Sequence, residues 1–215
     1  MTMISTEPTA LENCRAALTA NGFEVFVAKD PAEARQIFFT QILPNVKADL
    51  ISWADSMTME STGVLEDLLA DPAINMIKTF DLAAERGEII ERRRQALLTD
   101  LFLSGSNAVT ECGKLVNLDM IGNRTGAISF GPKKVVLFIG QNKIVPHLQK
   151  AMERIKNHAA PLNAKRHNIL TPCAKSGRCH DCSSPQRICN SWAIVDKCYP
   201  PGRIKVVLIE QDLGL

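Results

Sequence analysis

The residues with the clearest capacity for chemistry are four cysteines in one short segment, spaced Cys173-x5-Cys179-x2-Cys182-x6-Cys189. Proline, glycine and serine residues separate them, so the segment has little apolar surface with which to order itself. Four thiolates in one irregular loop can coordinate a zinc ion or an iron–sulfur cluster without a packed core around them. The spacing therefore predicts a metal site at these four cysteines.

The spacing leaves the nature of this site open. A zinc ribbon normally has two C-x2-C pairs, and this segment has one, so zinc is not specified. The same thiols could bind a [2Fe–2S] or [4Fe–4S] cluster, or stay free and undergo transient oxidation. His180 lies between two of the cysteines and could donate a hydrogen bond to a ligand. Cys14 falls on the apolar side of a predicted helix, where burial explains it.

A second group of polar residues lies in a glycine-rich stretch between positions 104 and 124. Glycines allow the backbone to approach a ligand closely, and asparagines supply both donors and acceptors. An arginine in this stretch can bind a carboxylate or a phosphate through two parallel hydrogen bonds. We therefore predict a site for a small carboxylate or phosphate ester. The residues expected to form it are Ser104, Asn107, Asn117, Asn123 and Arg124.

Glu111 lies within the same stretch and has two interpretations. It is the one carboxylate in the loop before Lys114, which makes it a candidate general base. Alternatively, residues 111–114 form the turn of a β-hairpin whose polar side chains are solvated. The two interpretations are equally compatible with the sequence.

The segment SWADSMTMESTG at positions 52–63 also has two interpretations. It follows a predicted strand and enters a predicted helix, and hydroxyl and backbone N–H groups at a helix N-terminus can bind anions. Ser56 and Thr58 are thus candidate anion ligands. As an alternative, either residue is an ordinary N-cap, with Glu60 in the first turn of the helix.

The elements expected to position these residues alternate between helices and strands in the first half of the chain. Apolar periodicity predicts helices at residues 9–20, after Asp30-Pro31, before Asp71-Pro72 and around residues 85–98. Short apolar runs at 23–28, 48–53 and 74–80 predict the intervening strands. This alternation is typical of an α/β fold with an open, mainly parallel sheet flanked by helices.

Strand-like runs dominate after Asp100, at residues 101–105, 107–110, 114–119 and 134–140. A polar turn is expected at 122–124, and a helix follows Pro146 and ends near Pro161. Two further strands, at 192–198 and 203–210, are expected to close the chain as a pair. We thus predict one α/β domain over residues 1–215, with a C-terminal cysteine-rich insertion at 168–190.

Composition limits the possible partners and the compartment. The 215 residues include 25 basic and 23 acidic side chains without a long block of one sign, and aromatic residues make up 5%, so we expect no nucleic-acid partner. No apolar run is long enough to span a bilayer, and the N-terminus does not resemble a signal peptide. Seven cysteines without an export signal favour a cytoplasmic location.

The segment DLFLSGSNAVTECGKLVNLDMIGNRTGAISFGPKKVVLFIGQNKIV, beginning at Asp100, resembles the core of the LUD (lactate utilisation) domain family and its LutC-type members. The resemblance extends back through SWADSMTMESTG and forward through AAPLNAKRHN, TPCAKSGRC and PPGRIKVVLIEQDLGL. It covers nearly the whole chain. It implies a NagB/RpiA/CoA-transferase-like fold, in which ligands bind at the carboxyl ends of parallel strands.

The resemblance also implies a role in lactate or 2-hydroxy-acid oxidation together with iron–sulfur partner proteins. That association favours an iron–sulfur cluster over zinc at the four cysteines. The alternative is a stand-alone CoA-transferase-like or isomerase-like enzyme that acts on an acyl or sugar-phosphate ligand, with Glu111 as its nucleophile. Neither G-x-G-x-x-G nor G-x-x-x-x-G-K-[ST] is present, which disfavours an NAD-dependent lactate dehydrogenase.

Overall fold

The computed structural model describes residues 7–81 and 83–215, which form two β-sheets with helices around them. The strands are β1 Glu24–Ala28, β2 Ile51–Trp53, β3 Met76–Ile77, β4 Leu101–Gly105, β5 Ala108–Thr110, β6 Leu115–Asp119, β7 Lys134–Gly140, β8 Ile144–Val145, β9 Ser191–Val195 and β10 Ile204–Ile209. No helix within the described residues is long and apolar enough to cross a membrane.

The helices are short, and several of them continue into a differently wound turn. They are α1 Ala10–Ala20, α2 Pro31–Ile37, α3 Leu43–Val46, α4 Met57–Glu60, α5 Val64–Ala70, α6 Arg86–Gln95, α7 Asn123–Ser129, α8 Leu148–Arg154, α9 Ala160–Arg166 and α10 Pro172–Ser176. Segments of π-helix at Phe38–Ile42 and Ile155–Ala159 link α2 to α3 and α8 to α9. Turns of 3₁₀-helix lie at Ala96–Leu98 and Gln141–Lys143.

The larger sheet has six parallel strands in the order β1-β10-β7-β4-β2-β3. Side chains alternate between its two faces, so Val135 and Leu137 of β7 pack with α1 and α7, whereas Val136 and Phe138 pack with α2, α4 and α5. Because both faces are covered, the central strands consist mainly of apolar residues. The expected α/β fold with a parallel sheet flanked by helices is thus confirmed.

The smaller sheet has the strand order β8-β5-β6-β9, and α8 packs on it. Strands β5 and β6 form an antiparallel hairpin, and residues 111–114 make its turn. Strand β9 pairs with β6, whereas β10 lies between β1 and β7 in the larger sheet. The expectation that the last two strands form a pair is therefore wrong, because each strand fills a vacant edge or gap in a different sheet.

Two other local expectations are wrong. Residues 122–124 are not a polar turn: helix α7 begins at Asn123, and the Asp119 carboxylate accepts the backbone N–H groups of Arg124 and Thr125 at 2.9 and 3.2 Å. The helix after Pro146 does not end near Pro161 but extends to Arg166. The π-helical turn before Pro161 changes the hydrogen-bond pattern at the point where proline has no N–H to donate.

Candidate functional site

A cavity of about 470 Å³ lies where the parallel strands of the larger sheet end. The residues that follow β2, β4 and β7 form one wall, and these include Asp55, Ser56, Ser106 and Lys143. The opposite wall comes from the ends of β6 and α9 and the beginning of α7. This is the position at which open parallel sheets bind ligands, because the loops that follow the strands converge there.

Arg124 is held so that part of its guanidinium faces this cavity. Its Nη2 donates to Asn107 Oδ1 at 2.7 Å and to the Leu118 carbonyl at 2.9 Å. Within the described chain, these are the hydrogen bonds of the guanidinium, and Nε and Nη1 are left for a ligand. Because Nε and Nη1 lie on different edges of the guanidinium, each can donate singly to an oxygen of a carboxylate or phosphate.

Arg93 enters the same cavity from α6. Its guanidinium lies over the Phe80 ring at 5.2 Å, and its buried Nε has no hydrogen-bond partner in the described chain. Burial lowers the pKa of Arg93, and the carboxylates of Asp119 and Asp55 act in the opposite direction. A half-buried guanidinium with an unsatisfied donor would gain from an anionic ligand.

Lys143 is the third cationic side chain of the cavity, and it is 5% exposed. Its Nζ donates to Thr58 Oγ1 at 2.7 Å, and Thr58 Oγ1 donates in turn to the Leu213 carbonyl. No carboxylate side chain in the described chain forms an ion pair with it. Burial, together with the positive charges of Arg154 and Arg124, lowers the pKa of Lys143 to about 7.

Asp55 connects two further groups at the rim of the cavity. Its Oδ2 contacts Arg166 Nη2 and lies 3.0 Å from Nε2 of His167. A carboxylate that contacts an imidazole fixes the orientation of the ring. His167 is thus placed to exchange a proton with a ligand in the cavity.

The charges of the cavity favour an anion. Arg93, Arg124 and Lys143 form no ion pair in the part of the chain that the structure describes, whereas Arg166 is paired with Asp55. The other lining carboxylate, Asp119, accepts backbone N–H groups of α7 and of its own neighbour. A surplus of positive charge in a partly closed, low-dielectric space attracts and orients small anions.

Four of the seven residues predicted to bind an anion line the cavity: Ser56, Asn107, Asn123 and Arg124. Thr58 and Asn117 lie behind the lining. Thr58 contacts Lys143, and the Asn117 side chain accepts the backbone N–H of Asn107 at 3.1 Å.

Ser104 does not line the cavity. It is buried within β4, and its hydroxyl has no partner in the described chain. Ser56 also serves as the N-cap of α4, in agreement with the alternative interpretation of that segment.

Glu111 does not belong to the residues that line the cavity. It lies in the hairpin turn between β5 and β6, where its carboxylate accepts the Asn13 side chain of α1 at 3.2 Å. Gly113 in the same turn has a φ of +77°, and an added Cβ would lie 2.7 Å from the backbone nitrogen of Leu18. The turn thus packs closely against α1, and its position gives no support to a catalytic role for Glu111.

The four clustered cysteines line a second, much smaller cavity of about 10 Å³. Arg187 binds the loop together, because its side chain donates to the carbonyls of Cys182 and Cys189 at 2.5 and 3.0 Å. Burial raises the pKa of the Cys189 thiol, Arg187 lowers it, and the other three cysteines raise it further. The four thiols are close together because all four cysteines line this one small cavity.

The fit of a metal to this loop depends on its donor set. Four thiols around one cavity are the ligands that zinc and iron–sulfur clusters use. Within residues 7–81 and 83–215, however, no group of three or more histidine, cysteine, aspartate or glutamate side chains already stands in a metal-binding arrangement. The donors fit a metal centre, and the loop would have to rearrange to hold it. Cys14 is buried in the core, as expected, and burial raises its pKa to about 12.

The two cavities share a wall. Ala160 and Ile188 line both the large cationic cavity and the cysteine cavity. Two apolar side chains therefore separate an anion in the first from a group bound by the cysteines in the second.

Sequence reasoning missed several residues of the site. Arg93 lies between Arg92 and Arg94, which form ion pairs with Glu88 and Glu91. Nothing in the sequence distinguishes the side chain that enters the cavity from its two neighbours. Lys143 lies in the turn after a buried strand, and no pattern of charged residues around it indicates that its side chain enters a cavity. Asp55 and His167 are 112 positions apart, and only the tertiary fold brings them together.

Comparisons with known proteins place the chain in a family. Residues 11–209 match the LUD domain. A crystal structure of a DUF162 family protein from Deinococcus radiodurans has a similar fold, with a TM-score of 0.51 and 14% sequence identity, and the match covers 93% of this chain and 96% of that one. A search of curated proteins gives no match. Because the LUD match spans nearly all of the chain, this protein belongs to the LUD domain family.

Proposed function

We propose that this LUD domain protein binds a small 2-hydroxy or 2-oxo acid, such as lactate or pyruvate, as part of an iron–sulfur-dependent oxidation system. The observation that carries the proposal is the shared wall of Ala160 and Ile188 between the cationic cavity and the cysteine cavity. In this proposal, the carboxylate site and the electron-transfer site would be direct neighbours. Membership of the lactate-utilisation family supports the substrate class.

Within the cavity, different side chains would bind the carboxylate and transfer the proton. Arg124 supplies one donor for the carboxylate, and the unsatisfied Nε of Arg93 supplies another. His167, held by Asp55, is placed to take the proton of the C2 hydroxyl or to return it to a C2 carbonyl. The apolar residues Leu118 and Ile155 cover part of the wall and exclude water from the bound acid.

The cysteine loop would hold the metal centre through Cys173, Cys179, Cys182 and Cys189. An iron–sulfur cluster would supply one-electron transfer, whereas zinc, the alternative, would order the loop without redox chemistry. The cavity in its present form has about the volume of one water molecule. A cluster would therefore require the loop to widen, and the hydrogen bonds of Arg187 to two of the cysteine carbonyls are contacts that such a change would alter.

The alternative of a stand-alone CoA-transferase-like or isomerase-like enzyme loses its main support. It depends on Glu111 as nucleophile, and Glu111 lies in a hairpin turn that does not line the cavity. We therefore retain the redox subunit as the proposed function.

Isothermal titration calorimetry tests the ligand, with lactate and pyruvate compared against lactamide, which has the same skeleton without the negative charge. We expect binding of the two acids and none of the amide. Anaerobic purification followed by iron, sulfide and zinc analysis and a visible absorption spectrum tests the centre, and co-purification with iron–sulfur proteins tests the partners. The absence of acid binding, or of any metal after reconstitution, would contradict the corresponding part of the proposal.

A further inference from the structure

Lys143 is the one lysine among the residues that line the large cavity, within the part of the chain that the structure describes. The 3₁₀ turn Gln141–Lys143 after β7 directs it inward, and the side chain is almost fully buried. Its amine has a hydroxyl, Thr58 Oγ1, as its hydrogen-bond partner instead of a carboxylate. A lysine that only anchors the fold would ordinarily be exposed or paired with an acid.

The surroundings of Lys143 keep a fraction of its amine neutral at neutral pH. Arg154 of α8 and Arg124 of α7 are the charged groups that act on it, and both disfavour a further positive charge nearby. Together with burial they lower the pKa of Lys143 to about 7. Desolvation next to other cations is a recognised way to make a lysine amine nucleophilic towards carbonyl carbon.

The cavity that Lys143 lines is also the one that Arg124 lines. The carboxylate of a 2-oxo acid bound at Arg124 leaves its C2 carbonyl in the same cavity that Lys143 lines. Nothing in the role proposed above for His167 and Asp55 requires a lysine. Lys143 is thus a nucleophile that the proposed binding mode does not yet use.

We propose that Lys143 forms an imine with the C2 carbonyl of a 2-oxo acid bound in the cavity. This inference rests on the proposed function, since the 2-oxo acid is the product of 2-hydroxy-acid oxidation. The neutral amine nitrogen attacks C2, and the carbonyl electron pair moves to oxygen to give a carbinolamine. Loss of that oxygen as water, with both protons taken from the former amine, forms the C=N bond.

The step requires no oxidant or reductant. It releases one water, and hydrolysis returns the free lysine and the 2-oxo acid. The imine would retain the product in the cavity until water enters.

Reductive trapping tests the imine in the wild-type protein. The chain is incubated with pyruvate and sodium cyanoborohydride, which reduces imines to stable secondary amines, and peptide mass mapping locates the adduct. We expect stoichiometric modification of Lys143 at neutral pH, at least tenfold faster than that of the exposed Lys165. The rate should rise with pH around 7. In Lys143→Arg this adduct should be absent, and in the control Lys165→Arg it should be unchanged.

Calorimetry on the same samples, without reductant, separates the two proposals. Pyruvate binding without an adduct at Lys143 would overturn the imine and leave the proposed carboxylate site intact. Neither binding nor adduct would overturn both. Pyruvamide, which keeps the 2-oxo group but has no negative charge, should label Lys143 at least tenfold more slowly than pyruvate does. Equal rates would show that the amine is reactive but that the cavity does not select a 2-oxo acid, which also contradicts the proposal.

Discussion

Replacement of Lys143 by methionine should make the stability of the protein less dependent on pH. The folded chain holds the pKa of Lys143 at about 7, against an ordinary value of 10.5. Between these two values the unfolded state binds a proton that the folded state does not, so the free energy of unfolding of the wild type rises with pH. Below pH 7 the buried lysine lowers the free energy of unfolding by its full amount. Above pH 10.5 it no longer lowers the free energy of unfolding.

The size of the effect follows from these two pKa values. Where the unfolded lysine is protonated and the folded lysine is neutral, the free energy of unfolding rises by about 1.4 kcal/mol per pH unit. Because the folded lysine is half protonated at pH 7, the wild type should gain about 2 kcal/mol of stability from this residue between pH 7 and pH 9. Lys143→Met, which keeps the length of the side chain and removes the amine, lacks this contribution.

Urea unfolding under reducing conditions, at pH 7 and pH 9, measures the effect. The quantity to compare is the difference in unfolding free energy between wild type and Lys143→Met, because other titrating groups contribute to both proteins and cancel. The exposed Lys165→Met serves as the control, and its difference from wild type should not change with pH. If the difference in unfolding free energy between wild type and Lys143→Met were the same at both pH values, the lowered pKa of Lys143 would be refuted.

Three further outcomes are expected. Arg124→Ala should weaken lactate or pyruvate binding by about 1.5–3 kcal/mol, measured by calorimetry, because a charge-assisted hydrogen bond to the carboxylate is lost. Unchanged affinity would remove Arg124 from the site. Cys182→Ser should lose metal and become protease-sensitive between residues 168 and 190, whereas Cys14→Ser should keep its metal content, as metal analysis and limited proteolysis would show. Gly113→Ala should lower the free energy of unfolding by about 1–3 kcal/mol, since its φ is positive and the new Cβ would meet the backbone of α1.

Much of the fold follows from local signals. The central strands β4 and β7 have the predicted bounds, because runs of apolar residues of strand length between turn residues have few alternative structures. The capping of α2 by Asp30, with Pro31 in its first turn, follows from side-chain geometry alone. The hairpin turn at 111–114 follows from its glycine and its flanking strands.

The errors have a common physical origin. Helix α7 is short and its N-terminus is stabilised by Asp119, a residue that precedes the helix and belongs to a strand. The continuation of the helix through Pro161 depends on a π-helical turn, which has no sequence signature. Strands β9 and β10 belong to different sheets, and the apolar pattern of a strand does not specify which strand it pairs with.

The sequence by itself determined the α/β class, the cysteine cluster and four of the polar residues that line the cavity, because each depends on residue type and on spacing along the chain. The tertiary structure alone decided which distant residues meet. Asp55 and His167 share a contact only because the end of α9 reaches the loop after β2. The low pKa of Lys143 arises because burial and two arginines from other helices act on one amine. Charge and solvation depend on distances in space, and the order of residues does not specify them.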